Sequence, residues 1–150
     1  MDILAILDGL VSHAMALGRF EQVNTHEPKS APGHGLTAAI WLQSLDPVPE
    51  ASGLATSAGR LVWTLRIFQN ALMQPPDAID PYVLEAASAL ITAYSGDFEL
   101  GGNVRNVDLL GAHGVALAGR AGYLNQDGKI FRIFDVTIPL IVNDVWSQSG

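Results

Sequence analysis

Cysteine is absent from the 150 residues, which excludes a disulfide scaffold, a thiolate zinc site and a cysteine nucleophile. Basic residues are scarce. Eight Lys and Arg stand against 15 Asp and Glu, a formal net charge of −7. Affinity driven by phosphate neutralisation needs clustered basic residues, and this balance does not supply them. Long apolar runs are also missing: no stretch approaches the roughly 20 residues that span a bilayer, so no membrane partner is expected. The opening Met1-Asp2-Ile-Leu-Ala-Ile-Leu-Asp-Gly-Leu puts an acid where an export signal needs positive charge and interrupts its apolar positions with Asp8 and Gly9. No export signal is read.

What is present fits a single domain over 1–150, a size that buries roughly 68–70% of the surface of the unfolded chain. Asp2 is placed to cap a first helix over Ile3 to Leu17, with Ile3, Ile6, Leu7, Leu10, Val11, Ala14 and Leu17 on one face and Gly18 as the stop. A short extended segment, Arg19 to Thr25, precedes an exposed loop from Glu27 to Gly35. Leu36, Ala38, Ile40 and Leu42 then alternate with Thr37, Trp41 and Gln43, the period of a half-buried strand. This phase puts Trp41 away from the main core. A long connection, Asp46 to Ser57, leads to a central strand over Gly59 to Gln69 with Leu61, Trp63, Leu65 and Ile67 inward and Arg60, Thr64 and Arg66 outward.

Asp80 reads as the N-cap of a second helix with Pro81 at its first position, and Gly96 closes it. A strand candidate follows at Asn103 to Leu110. Asp127-Gly128 signals a type I′ turn into a last strand, Lys129 to Val142. That strand carries Phe134, Val136, Ile138 and Leu140 on one face and Phe131, Ile133 and Ile141 on the other, so both faces need cover. Pro139 predicts an edge, a bulge or a strand terminus at its position. The order helix, three strands, helix, three strands gives an α+β domain with a mostly antiparallel or mixed sheet and two helices on one side.

Reaction chemistry is hard to find in these residues. His13, His26, His34 and His113 have no metal-binding spacing, so no metal and no cofactor is expected. The glycine pairs lack the context of a phosphate cradle, and no serine sits in a nucleophile elbow. The acid pairs Asp77 with Asp80 and Asp97 with Glu99 read as helix-end charges. Arg60, Arg66, Arg105 and Arg132 form a strip that meets acids of a neighbouring subunit if their strands adjoin, or else pair within a solvated sheet face. Trp41 and Trp146 are either interface aromatics or side chains capped from within.

Four stretches carry a resemblance: Val23-Asn-Thr-His-Glu-Pro-Lys-Ser, Tyr94-Ser-Gly-Asp-Phe-Glu-Leu-Gly-Gly102, Val104-Arg-Asn-Val-Asp-Leu-Leu-Gly111 and Gly122-Tyr-Leu-Asn-Gln-Asp. Together they resemble the tail terminator proteins of long-tailed, siphovirus-type phages of actinobacteria, which are similar to the lambda-type terminator family. The resemblance covers essentially the whole chain and includes no catalytic motif. It implies a structural, non-enzymatic subunit of a homohexameric ring at the head-proximal end of the virion tail, assembled in the host cytoplasm. Such a ring stops growth of the major tail tube protein, offers the docking surface for a head-completion or connector protein, and lets DNA pass without specific binding. Strand phase and loop length select candidate contacts: Trp41, Arg60, Arg66, Arg105, Phe131, Arg132, Ile133 and Trp146 for subunit or tube interfaces, and Lys29, Ser30, His34, Glu50 and Leu54 in the loops. Two alternatives are a head-completion or neck adaptor ring and a small ligand-binding or enzymatic α+β domain with a pocket between its first helix and sheet.

Overall fold

A computed structural model describes residues 1–27, 35–48, 57–72 and 75–143. Two helices and a six-stranded mixed sheet follow one another as α1 (Ile3–Ala16), β1 (Gln22–Asn24), β2 (Thr37–Pro47), β3 (Gly59–Asn70), α2 (Ile79–Gly96), β4 (Asn106–Val107), β5 (Ala118–Gln126) and β6 (Lys129–Val142). The α+β class and the element order are those expected. The sheet runs β1-β2-β3-β6, and the far side of β6 is shared between β5 and β4. Only the β1–β2 pair is parallel.

The sheet is built on β3 and β6. Their register is unbroken from Gly59 opposite Val142 to Asn70 opposite Phe131, so the period of two puts Leu61, Leu65, Ile67, Val136, Ile138 and Leu140 on one face, all buried. Ile6, Leu10 and Ala14 of α1 and Val83, Ala86, Ala87, Leu90 and Tyr94 of α2 cover that face in one core. Asp2 caps α1 by accepting from the Ala5 amide at 3.0 Å, and Gly18 ends it at φ +66°, a conformation glycine adopts without the Cβ penalty. Inside this core the Tyr94 hydroxyl donates to the Leu10 carbonyl at 2.8 Å and links the two helices. Burial pushes the Tyr94 hydroxyl pKa up, so it remains a donor.

Several details differ from the sequence reading. Ile3 is about half exposed, because α1 meets the core only from Ile6 onward. A register shift between Leu42 and Ser44 leaves Gln43 as the extra residue of a bulge, and Leu42 beside it is 45% exposed rather than inward. Asp46 and Pro47 belong to β2, and the Val48 amide donates to the Ala58 carbonyl beyond it, so this connection begins later than expected. Asp80 does not cap α2: a 3₁₀ turn, Pro76–Ala78, leads directly into the helix at Ile79, and Asp80 lies in its first turn. The strand at 103–110 shrinks to Asn106–Val107 because the chain is taken up by a turn with Leu100 at φ +51° and Gly101 at φ +67° before it.

Pro139 is neither at an edge nor at an end of β6. Its carbonyl accepts from the Asp108 amide at 2.9 Å, and a strand residue directs its amide and carbonyl to the same side. The amide that proline lacks therefore faces the handover between β5, whose register ends at Thr137, and β4, whose register begins at Leu140. The gap in the ladder coincides with a change of partner strand. The Asp127-Gly128 turn is as expected, with both residues at positive φ, 53° and 74°.

Leu65→Ala is expected to lower unfolding free energy by about 2–5 kcal/mol, since it opens a cavity at the centre of β3. Tyr94→Phe is expected to cost about 0.5–1.5 kcal/mol. Urea denaturation monitored by circular dichroism checks the ranking, and equal losses would show that helix coupling through Tyr94 matters as much as sheet packing.

Candidate interaction surfaces

The sheet face turned away from the helices carries two of the four arginines singled out from strand phase, Arg60 and Arg66, and pairs both with acids of the same chain. Arg66 of β3 lies opposite Asp135 of β6 and makes two hydrogen bonds to it, Nε to Oδ1 at 2.7 Å and Nη2 to Oδ2 at 3.0 Å. The planar fork of guanidinium matches a carboxylate in this way. The Asp135 hydrogen bond raises the Arg66 pKa further, against the opposing effect of burial. Its guanidinium carbon also lies 5.3 Å from the Trp41 ring centroid, a cation–π distance. Arg60 pairs with Asp46 at 3.2 Å and donates through Nη1 to the His113 carbonyl. The pairing of Arg60 and Arg66 is thus intramolecular, one of the two outcomes left open by the sequence.

Arg132 does not join that strip. Two residues before Phe134 on β6, it lies on the helix side, where Nε donates to Asp80 Oδ1 at 2.8 Å and its guanidinium carbon stacks 4.4 Å from the Tyr123 ring centroid. Period-two counting from Phe134, which the sequence places with Val136 and Ile138, would have assigned this face. Arg105 is exposed before β4, its amide bonded to the Ile141 carbonyl, and it makes no ion pair among the described residues. Phe131 and Ile133 are buried with Ala39 and Phe68, with Trp41 and Leu124 half-covering the cluster. Phe131 and Ile133 therefore hold the sheet together and offer no contact surface. Trp146, Lys29, Ser30, His34, Glu50 and Leu54 lie outside the described residues, as does most of both expected contact loops, 28–34 and 49–56.

Several features escaped the sequence reading. His13 Nε2 meets Asp97 Oδ2 at 2.8 Å, with the His13 ring edge-on to Tyr94 at 5.6 Å between centroids. Asp97 caps α2 and also accepts from the Gly101 amide at 3.0 Å. The hydrogen bond from His13, then that from Gly101, holds the Asp97 pKa below its ordinary value. Their spacing of 84 residues gave no local signal. A groove of about 640 Å³ runs between α2 and the β5–β6 hairpin, lined by Val83, Leu84, Ala121 and Phe134 together with the Asp80–Arg132 pair. It is not between α1 and the sheet, where side chains fill the space. No cluster of three or more metal-ligating side chains occurs among the described residues.

The outer side of β5 is the other missed feature. In a two-residue hairpin the flanking pair, here Gln126 and Lys129, exchanges hydrogen bonds, so even-numbered β5 residues bond β6. Gly119, Ala121, Tyr123 and Asn125 therefore direct their amides and carbonyls outward, and no strand pairs with them among the described residues. Gly119 is required here, since a Cβ would strike the Phe134 ring. No protein-family model matches the chain, and no curated protein matches it.

Asp135→Asn is expected to destabilise the fold by about 1–2 kcal/mol, less than loss of half of a fully buried pair because both partners keep some solvent contact. Loss of the Trp41 fluorescence perturbation from Arg66, alongside a lowered urea midpoint, checks it. For Asp97, a folded pKa below the unfolded one makes its stabilisation present above the unfolded value and lost as pH falls through the folded value. The stability gap between wild type and Asp97→Asn should therefore be largest near neutrality and close in acid below the ordinary carboxylate range. A gap independent of pH would contradict the linkage.

Proposed function

We propose that this chain is a structural subunit that caps the end of a phage tail tube as a closed ring, ends tube growth and offers the surface on which the filled head docks. Four sequence blocks resemble that family, and the described parts of them serve structural purposes. Tyr94 and Leu100 are core residues, Val104–Gly111 contains β4, and Gly122–Asp127 forms the outer hairpin.

The observation that carries the reading is the unlikeness of the two ends of the long strands. At one end, where β3 exits and the hairpin turns, Leu72 is 83% and Ile130 53% exposed, and they line a small cleft with Asn70, Gly128 and Lys129. At the other, Arg60 is tied to Asp46 and the His113 carbonyl, above a buried cluster of Val48, Ala58 and Ile141. A cap needs this asymmetry: one face that accepts the last tube ring and one that does not repeat the tube's own docking surface. Growth then stops because the next ring finds no equivalent contact.

The surfaces described so far fit contact more readily than turnover. The α2–hairpin groove is mostly apolar, with one ion pair that is already satisfied, and it lacks the convergent polar groups of a specific small-molecule site.

Shortening the connection within 49–56 is expected to leave the monomer folded, since the β2–β3 ladder is closed by the Val48–Ala58 bond, and to weaken capping. Tubes assembled from the major tail tube protein in the presence of this variant should outgrow those capped by wild type. Tubes of wild-type length would count against a role for that connection. Failure of the wild-type chain to limit tube growth would remove the cap reading itself.

A further inference from the structure

The two lateral edges of the sheet differ in length and charge, and they lie at opposite ends of the strand order. β5 offers nine residues, four of which direct backbone groups outward. An open strand of this length is a template for pairing, and proteins ordinarily blunt such edges with proline, bulges, charge or cover. Here β5 contains no proline, its register is regular from Ala118 to Gln126, and Ala118, Gly119, Ala121 and Gly122 keep it slim. The opposite edge is β1. Thr37 and Ala39 of β2 bond to β3, so Ala38 faces β1 and takes the Gln22 carbonyl and the Asn24 amide, which leaves Val23 with its backbone groups directed away from β2 and unpaired with any strand among the described residues.

Charge distinguishes the edges further. The segment 1–27, which forms α1 and β1, contains four acids, Asp2, Asp8, Glu21 and Glu27, against Arg19 alone. The segment 118–132, which forms β5 and the start of β6, contains Arg120, Lys129 and Arg132 against Asp127 alone. Three of the chain's eight basic residues thus fall in that short stretch of an acidic protein. Arg132 is engaged by Asp80, while Arg120 and Lys129 make no ion pair among the described residues.

We infer that the β5 edge of one copy pairs with the β1 edge of the next, a head-to-tail contact in which the basic hairpin of one subunit faces the acidic α1–β1 side of its neighbour. A contact between two different patches generates a ring when its rotation closes, whereas pairing of β5 with β5 would be isologous and stop at a dimer. Opposite charge on the two edges favours the first and disfavours the second, since like-charged edges repel. This deepens the ring reading above and rests on it for the closed arrangement, but the edge contact itself is tested without a tail tube. The backbone bonds supply attraction and the charged flanks select the partner edge.

The absence of cysteine makes the contact open to crosslinking. Tyr123→Cys on β5 is combined with Gln22→Cys or Asn24→Cys on β1, and the purified protein is oxidised at the highest soluble concentration. Adjacent strands bring Cα atoms within disulfide range. The expected result is a ladder of covalent multimers from a double-cysteine chain and monomer from each single-cysteine chain. Ala121→Pro, whose lost amide faces outward and so spares the β5–β6 ladder, should abolish the multimers while leaving the circular dichroism spectrum unchanged. Dimers from Tyr123→Cys alone would overturn the inference in favour of an isologous edge, and absence of multimers from both double-cysteine chains would overturn it outright. A covalent ladder from a protein that does not limit tube length would support the edge contact while removing the cap reading.

Discussion

The β3–β6 ladder is the constraint on which the rest of the structure depends. Its continuous antiparallel register fixes, through the period of two, which side chains enter the helix-covered core and which remain on the other face. A slip of β3 by one residue would send Leu65 outward, draw Arg66 into the apolar core and part it from Asp135. The ion pair and the core therefore specify the same register from opposite faces. β6 also divides its far side between two partners, with Pro139 at the junction. β5 can thus run past the helices as the outer strand while β4 seals the other end.

Much of this was legible because local signals and burial pattern agreed. Asp2 and Gly18 marked the ends of α1, Asp127-Gly128 set the start of β6, and the alternation of Leu61 through Ile67 identified the central strand. The failures have definite physical causes. The bulge at Gln43 changes the phase of β2 without a glycine or proline to announce it. Asp80 has the composition of a cap, but the preceding Pro76–Ala78 turn already satisfies the helix start, and its carboxylate turns to Arg132. At 103–110 the apolar residues indicated a strand, whereas Gly101 and Gly102 at positive φ redirect the chain and leave only two residues in the ladder.

The candidate contacts divide along similar lines. Arg60 and Arg66 were located on the correct face, but their acidic partners, Asp46 and Asp135, lie 14 and 69 residues away in sequence, beyond any local pattern. Phe131 and Ile133 were placed by strand phase on the face without helices, and phase alone cannot tell a covered face from an open one. Their neighbours Ala39 and Phe68 complete the small cluster that buries them. The open edge of β5 was invisible for a more general reason, since edge status depends on which strands fail to meet and is a property of topology. What emerges is a sheet whose Arg60, Arg66 and Arg132 are paired within the chain, with two unlike ends and two unlike edges.

The most direct test of the proposed ring is negative-stain electron microscopy of the purified chain over a range of concentrations. The account predicts uniform closed rings with an open centre, increasing in number as concentration rises. Single small particles at every concentration, with no rings when tube protein is added, would contradict it.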